Sequence, residues 1–293
     1  MQNAQAPSRI GERDCSADSP VRDSASMLRL HANKALTGLL VHRALQIDRS
    51  HMSPNSGARR SVDGWIGVRN VVVHYTGMES AATALARLCD PAAEVSAHYL
   101  IEEDGRILGL VDETMRAWHA GRSYWRGLTD LNSVSIGIEI VNPGHEYGYR
   151  AFPDVQIESL AALLGDIVDR HALTPEDVIG HSDIAPGRKQ DPGELFPWQY
   201  LATKGFGLWP SGPRSSSDVG IWPSLSTIGY AIPAGPGGDV LDPHTGPEDV
   251  IAAFQRRYRP DRVDGIADAE TRGLIAAVAE LARSGRSLAT GWA

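Results

Sequence analysis

The segment with the clearest capacity for chemistry is GHSDIAPGRKQDPG, residues 180–193. Two prolines and three glycines disfavour a regular helix there, so the segment is predicted to be an irregular loop. In such a loop His181 and Asp191, ten positions apart, can bend back onto one metal ion. Lys189, two residues before the carboxylate, can then point at whatever the metal activates.

A third candidate ligand lies far upstream in VVVHYTG, residues 71–77, where His74 stands near the end of an apolar strand. Two histidines and one aspartate leave one position open on a tetrahedral zinc ion, which is typical of a catalytic site. Such an ion stays acidic enough to bring the pKa of a bound water to about 7. We therefore predict that His74, His181 and Asp191 bind Zn²⁺.

Glu139 lies in the β-branched run IGIEIV, residues 136–141, where burying a carboxylate is costly. Desolvation would raise its pKa toward the range of a general base. The alternative is a salt-bridged strand residue that faces solvent. Lys189 is a candidate for stabilising an oxyanion, and its alternative is a solvated surface lysine.

Composition narrows the class of protein. The chain has 293 residues and a formal net charge of −8, which argues against non-specific nucleic-acid binding because phosphate contacts need clustered Lys and Arg. It contains no apolar run of about eighteen residues, so no transmembrane segment is predicted. Cys15 and Cys89 are isolated, which excludes a disulfide framework.

Alternating strand and helix patterns predict an α/β fold with a mixed central β-sheet flanked by helices. Period-two and β-branched runs indicate strands, an Asp-Gly pair indicates a hairpin turn, and apolar residues on one helical face indicate amphipathic helices. These patterns place strands at 66–75, 134–142 and 178–179, a hairpin at 97–111, and helices at 79–89 and 155–171.

Composition changes after Gly205, where residues 207–247 are rich in Gly, Pro and Ser. Two apolar helical stripes follow between residues 248 and 283. The predicted organisation is a domain at 52–206 that carries the predicted zinc site, a linker at 207–217 and a small three-helix domain at 218–290.

Residues 1–51 are predicted to be a disordered or non-native leader, because their polar composition cannot bury a core. They contain no recognisable secretory signal. We expect the native chain to start at or near Met52 and to act in the cytoplasm. A processed end between residues 42 and 51 would instead favour the periplasm or cell envelope.

Five segments, in this order along the chain, resemble one enzyme family: VVVHYTG (71–77), SAHYLIEEDGRI (96–107), WHAG (118–121), NSVSIGIEIVN (132–142) and HSDIAPGRKQDPG (181–193). Together they are similar to zinc-dependent N-acetylmuramoyl-L-alanine amidases of the AmpD and AmiD type, which share a superfamily with peptidoglycan-recognition proteins. The resemblance covers about residues 60–205. Residues 254–271 resemble a three-helix peptidoglycan-binding domain that is attached to some of these amidases.

The resemblance implies the same three zinc ligands, with catalytic roles for Glu139 and Lys189. It also directs attention to residues around the cleft. Arg188 is a candidate for binding a substrate carboxylate, since guanidinium groups form bidentate pairs. Trp118 and His119 are expected to line the cleft, and Asn132 is expected to hydrogen-bond the substrate. His98 is expected to pack near the site without binding metal.

The function implied is hydrolysis of the amide between N-acetylmuramic acid, or its 1,6-anhydro form, and L-alanine of the peptidoglycan stem peptide. The expected partner is peptidoglycan or muropeptides, and a monomer is assumed. One alternative is a non-catalytic peptidoglycan-recognition module, which the complete ligand set disfavours. A second alternative is a zinc peptidase that cuts within the stem peptide, and product analysis would separate it from an amidase.

Overall fold

The computed structural model describes residues 45–213 and 220–289. The predicted leader up to residue 44 lies outside these ranges. Two sheets are formed by β1 Ile47–Asp48, β2 Ser56–Ala58, β3 Asn70–Tyr75, β4 Tyr99–Ile101, β5 Ile107–Gly109, β6 Met115–Ala117, β7 Ser135–Ile140 and β8 Val178–Gly180. The main sheet has the order β1-β5-β4-β7-β3-β8, and β2 pairs with β6 separately. Strands β4 and β5 are antiparallel, whereas the other neighbours in the main sheet are parallel. The predicted mixed sheet is confirmed.

The helices of the described ranges are α1 Ala81–Cys89, α2 Leu131–Val134, α3 Asp154–His171, α4 His181–Ile184, α5 Trp198–Thr203, α6 Ile221–Ile228, α7 Pro247–Tyr258 and α8 Ala269–Ala289. Short 3₁₀ turns occur at Pro91–Ala93, Pro175–Asp177 and Gly238–Val240. Not one of these helices has both the length and the apolar character needed to cross a bilayer.

Alternation along β3 and β7 gives the main sheet two different faces. Val71 and Val73 on β3, with Ile136 and Ile138 on β7, belong to the hydrophobic cluster that also contains the buried side of α3. The intervening residues point to the opposite face because successive side chains of a strand alternate. The polar site is built on that second face.

The C-terminal helices share a hydrophobic cluster with that second face of the sheet. Buried members of the cluster include Val72, Ile179, Leu225 on α6, Phe254 on α7 and Val278 on α8. The described residues from 45 onward form one compact unit. The structure therefore differs from the predicted separate three-helix domain, because the helical stripes are buried partly against the sheet.

The predicted linker and the predicted leader boundary differ from the structure as well. Leu208 and Trp209, inside the predicted linker, pack against buried clusters, while residues 214–217 lie outside the described ranges. Before the predicted boundary at residue 51, β1 pairs with β5 through Ile47 and Ile107. Residues 45–51 therefore belong to the folded part.

Candidate metal centre and active site

Three side chains converge where β3 and β8 end. His74 lies on β3, His181 opens α4 directly after β8, and Asp191 follows in the next loop. Nδ1 of His74, Nδ1 of His181 and Oδ2 of Asp191 lie 2.9 Å from one another. All three side chains are buried, and they form a group that could hold a metal ion. Imidazole nitrogens and carboxylate oxygens are donors that zinc takes in proteins, so this convergent donor set fits such an ion.

Burial sets the charge of these groups. Desolvation lowers the pKa of His74 to about 4, so its imidazole is neutral at pH 7 and has a lone pair for a metal. Desolvation alone would raise the pKa of Asp191, but the charges and hydrogen bonds of His181 and His74 lower it overall. A neutral imidazole and an ionised carboxylate are the forms that bind metals.

Glu139 is the register partner of His74 on the neighbouring strand β7. Its Oε2 is buried and has no hydrogen-bond partner among the described residues. Desolvation, reinforced by the charge of Asp191, raises the pKa of Glu139 well above its ordinary value. The structure therefore differs from the alternative of a salt-bridged carboxylate facing solvent. A carboxylate in this environment is available to exchange a proton with a reacting molecule.

A cleft of about 440 Å³ opens over the three converging side chains. Its walls include Glu139, Lys189, Trp118, His119 and Arg188. Asn132 is not among the residues that line it. The cleft therefore collects both predicted catalytic residues and three of the four predicted substrate-binding residues.

Some of the predicted substrate-binding residues already make contacts within the protein. Oδ1 of Asn132 accepts the backbone N–H groups of His119 and Ala120 at 2.9 and 2.8 Å. Nη2 of Arg188 donates to the carbonyls of Ala120 at 2.9 Å and Arg122 at 2.7 Å. Trp118 differs, because its indole Nε1 is buried without a partner in the described residues.

His98 packs beside the site, with its ring centroid 5.8 Å from that of His119. Its Nδ1 accepts the backbone N–H of Gly137 at 3.0 Å, and its Nε2 lies 3.1 Å from the carbonyl of Met115. It does not belong to the group whose atoms could hold a metal.

A buried hydrogen-bond network around Asp183 in helix α4 was not predicted from the sequence. Asp183, two residues after His181, accepts hydrogen bonds from Nη1 of Arg257 at 2.7 Å and from the hydroxyl of Tyr230 at 2.6 Å. Its Oδ2 also accepts the backbone N–H of Gly180 at 2.9 Å. The three side chains are almost completely buried. The available signal was an arginine within an apolar helical stripe, but nothing local identified its partner 74 positions away.

The chain is similar in sequence to known amidases. The family described as N-acetylmuramoyl-L-alanine amidase matches residues 65–194. The chain is 40% identical to N-acetylmuramoyl-L-alanine amidase AmiD of Escherichia coli over 231 residues, covering 73% of this chain and 83% of AmiD. It is 42% identical to 1,6-anhydro-N-acetylmuramyl-L-alanine amidase AmpD of E. coli over 104 residues, covering 36% and 55% of the two chains.

Solved structures agree. AmiD from E. coli, in complex with anhydro-N-acetylmuramic acid-L-Ala-D-gamma-Glu-L-Lys, aligns with a TM-score of 0.63 and 37% identity over 76% of this chain and 93% of that one. AmpDh3 from Pseudomonas aeruginosa aligns with a TM-score of 0.64 and 33% identity over 76% and 95%. AmpDh3 has also been solved with an anhydromuramic pentapeptide.

A mixed sheet that brings a possible metal site and a buried carboxylate into one cleft is the arrangement of a metal-dependent hydrolase. The chain belongs to the N-acetylmuramoyl-L-alanine amidase family, which confirms the resemblance predicted from its sequence. The family match ends at residue 194. A peptidoglycan-binding role for the C-terminal helices therefore stays a prediction.

Proposed function

We propose that this chain uses Zn²⁺ to hydrolyse the amide between the lactyl group of N-acetylmuramic acid, or its 1,6-anhydro form, and L-alanine. The observation that carries the proposal is the convergence of His74, His181 and Asp191 beside Glu139, whose buried Oε2 has no partner in the part of the chain that the structure describes. The anhydromuramyl peptides in the AmiD and AmpDh3 structures support a muropeptide as substrate.

In this proposal, His74, His181 and Asp191 would hold the zinc ion, and the ion would supply Lewis acidity toward the carbonyl and the water. Oε2 of Glu139 accepts a proton from the attacking water and delivers it to the alanine nitrogen as that nitrogen leaves. The ammonium of Lys189, on the wall of the cleft, stabilises the negative charge that develops on the carbonyl oxygen. One water is consumed, and the products are a lactyl carboxylate and a free amino group on L-alanine.

The first prediction concerns the metal. Purified protein should carry about one zinc per chain and lose activity with a chelator. Substituting any of His74, His181 and Asp191 by alanine should abolish tight binding, measured by metal analysis after dialysis. The exposed His244 provides a matched control, since His244→Ala should leave the zinc content unchanged. Full activity of a metal-free preparation would contradict the proposal.

Product analysis separates the amidase from a stem-peptide peptidase. Purified anhydro-muropeptide and intact sacculi are digested side by side, and the products are identified by mass spectrometry. The proposal expects a free lactyl carboxylate and an intact stem peptide that starts with L-alanine. Cleavage within the stem peptide alone would refute it, and the relative rates on the two substrates define the preferred form.

A further inference from the structure

Both candidate metal-binding histidines are held from behind by one short loop, residues 118–121. Nε2 of His74 lies 3.0 Å from Nδ1 of His119, and Nε2 of His181 lies 3.1 Å from the carbonyl oxygen of Ala120. The Nδ1 atoms of His74 and His181 face each other on the metal side. Two adjacent residues of one loop therefore contact the outer nitrogens of both histidines.

The proton positions along these contacts follow from the carbonyl oxygens at their ends. The hydroxyl of Ser135 must donate to the carbonyl of Leu131, since a carbonyl only accepts. Its oxygen then accepts from Nε2–H of His119 at 3.3 Å, which leaves Nδ1 of His119 as an acceptor for Nε2–H of His74. His74 is thereby fixed in the tautomer with a free lone pair on Nδ1. The carbonyl of Ala120 fixes His181 in the same tautomer.

The ring of His119 packs against strand β7 at Gly137. Gly137 lies on β7 between Ser135 and Glu139, and a Cβ atom at Gly137 would come within 2.3 Å of Cγ of His119. The missing side chain is what allows the ring to lie against the strand. Asn132 holds the loop by accepting the backbone N–H groups of His119 and Ala120, as described above.

These contacts argue against a direct hydrogen bond from His119 to substrate. Both of its ring nitrogens are engaged inside the protein, one with His74 and the other with Ser135. The ring can contribute a wall of the cleft, but it has no polar atom left to offer.

We propose that His119 is a positioning residue: through its Nδ1 it fixes the tautomer and orientation of His74, while the backbone of the same loop does this for His181. The inference rests on the proposed metal site. Partners that hydrogen-bond metal-binding histidines from behind typically account for 10- to 100-fold in metal affinity or activity.

The test uses two isosteric substitutions in the full chain. In His119→Asn, the amide oxygen takes the place of Nδ1 and keeps the acceptor for His74, while the contact to Ser135 is lost. In His119→Gln, the amide reaches the place of Nε2 and keeps the contact to Ser135, while the acceptor for His74 is lost. Zinc affinity is measured by chelator competition, and the Co²⁺-substituted proteins are compared by their visible absorption spectra.

The proposal expects His119→Gln to bind zinc about 10- to 100-fold more weakly, with an altered cobalt spectrum. His119→Asn should stay within a few-fold of the wild-type affinity and keep its spectrum. Equal losses in both variants would show that ring packing alone matters and would overturn the assignment, as would unchanged zinc affinity with a raised KM. Failure of the wild-type chain to bind zinc would refute the proposed function instead, so the two failures are distinguishable.

Discussion

At the residue scale, the proposed chemistry depends on Glu139, whose buried Oε2 has no hydrogen-bond partner among the described residues. Glu139→Gln keeps the size of the side chain but cannot accept a proton. We expect the variant to retain its zinc and to lose at least ~10²-fold in turnover, the usual contribution of a positioned general base.

The measurement is turnover on anhydro-muropeptide together with metal content. Glu94→Gln, which changes an exposed carboxylate, is the control and should behave as wild type. Wild-type turnover of Glu139→Gln would remove this residue from the mechanism.

The grouping of His74, His181 and Asp191 could be predicted from the sequence because each stands in a segment whose composition restricts what it can do. His181 and Asp191 share one loop, and His74 ends an apolar run. The contacts that hold the Nε2 atoms of His74 and His181 could not be predicted in the same way. Ser135 and Gly137 are ordinary strand residues in the sequence, and only the approach of His119 from another part of the chain gives them a role.

At the scale of elements, β7 is both a core strand and the floor of the site. Gly137→Ala would place a methyl group where the ring of His119 lies. We expect it to cost roughly 1–3 kcal/mol of folding free energy, as other overpacked sites do, and to weaken zinc binding. Denaturant unfolding and chelator competition measure the two effects.

Gly57→Ala on β2 is the matched control for that substitution. No atom lies within 4 Å of the added carbon at Gly57, so its stability and zinc affinity should stay near wild type. Wild-type behaviour of Gly137→Ala would show that the position of the His119 ring does not depend on the absence of a side chain at residue 137.

Glu113 joins two elements on the other side of the sheet. It accepts hydrogen bonds from Tyr99 on β4 and from Arg170 and His171 on α3. Burial alone would raise its pKa, but these hydrogen bonds lower the pKa of Glu113 from 4.5 to about 2. Because the folded-state pKa is depressed, the stabilisation is present above pH 4.5 and is lost as the pH falls toward 2.

Glu113→Gln should therefore lower the Tm at neutral pH. The difference in Tm from wild type should shrink between pH 4.5 and 2, where the wild-type carboxylate becomes protonated. A thermal melt series across this range measures it. A difference that stays constant with pH would contradict the assignment.

The longer strands and helices were predictable because their periodicity is local. The prediction missed the short elements β1, β2, β6, α2 and α5, and the one-turn helix α4 begins a segment that was predicted to be an irregular loop. The prediction also misplaced some ends. The predicted strand 66–75, for example, begins only at Asn70. The packing of the C-terminal helices was not predictable, because an apolar stripe does not identify the surface that covers it. Their burial against Val72 and Ile179 appears only in the folded chain.

At the scale of the whole molecule, the C-terminal helix α7 contacts helix α4 beside the candidate metal site through the buried ion pair of Arg257 with Asp183. Arg257→Met would leave Asp183 charged and buried without its cation. We expect a loss of about 3–5 kcal/mol in the free energy of unfolding, as for other broken buried pairs. Arg150→Met, which removes an exposed pair with Glu103, should cost no more than about 1 kcal/mol.

Denaturant unfolding compares the two variants. Adding Asp183→Asn to Arg257→Met should restore part of the lost stability, because it removes the unpaired charge. If Arg257→Met unfolded with the wild-type free energy, the pair would not join the two parts of the molecule.

The buried ion pair of Arg257 with Asp183 also limits where this chain can be joined to another domain. Asp183 lies in the one-turn helix α4, which begins at His181. Its buried carboxylate accepts hydrogen bonds from Tyr230 and Arg257, which follow much later in the chain. A gene fusion or engineered chimera with its junction near residue 213 would remove Tyr230 and Arg257 and leave the buried carboxylate of Asp183 without these two partners. Any new cell-wall-targeting module should therefore be attached beyond α8, leaving the chain intact through that helix.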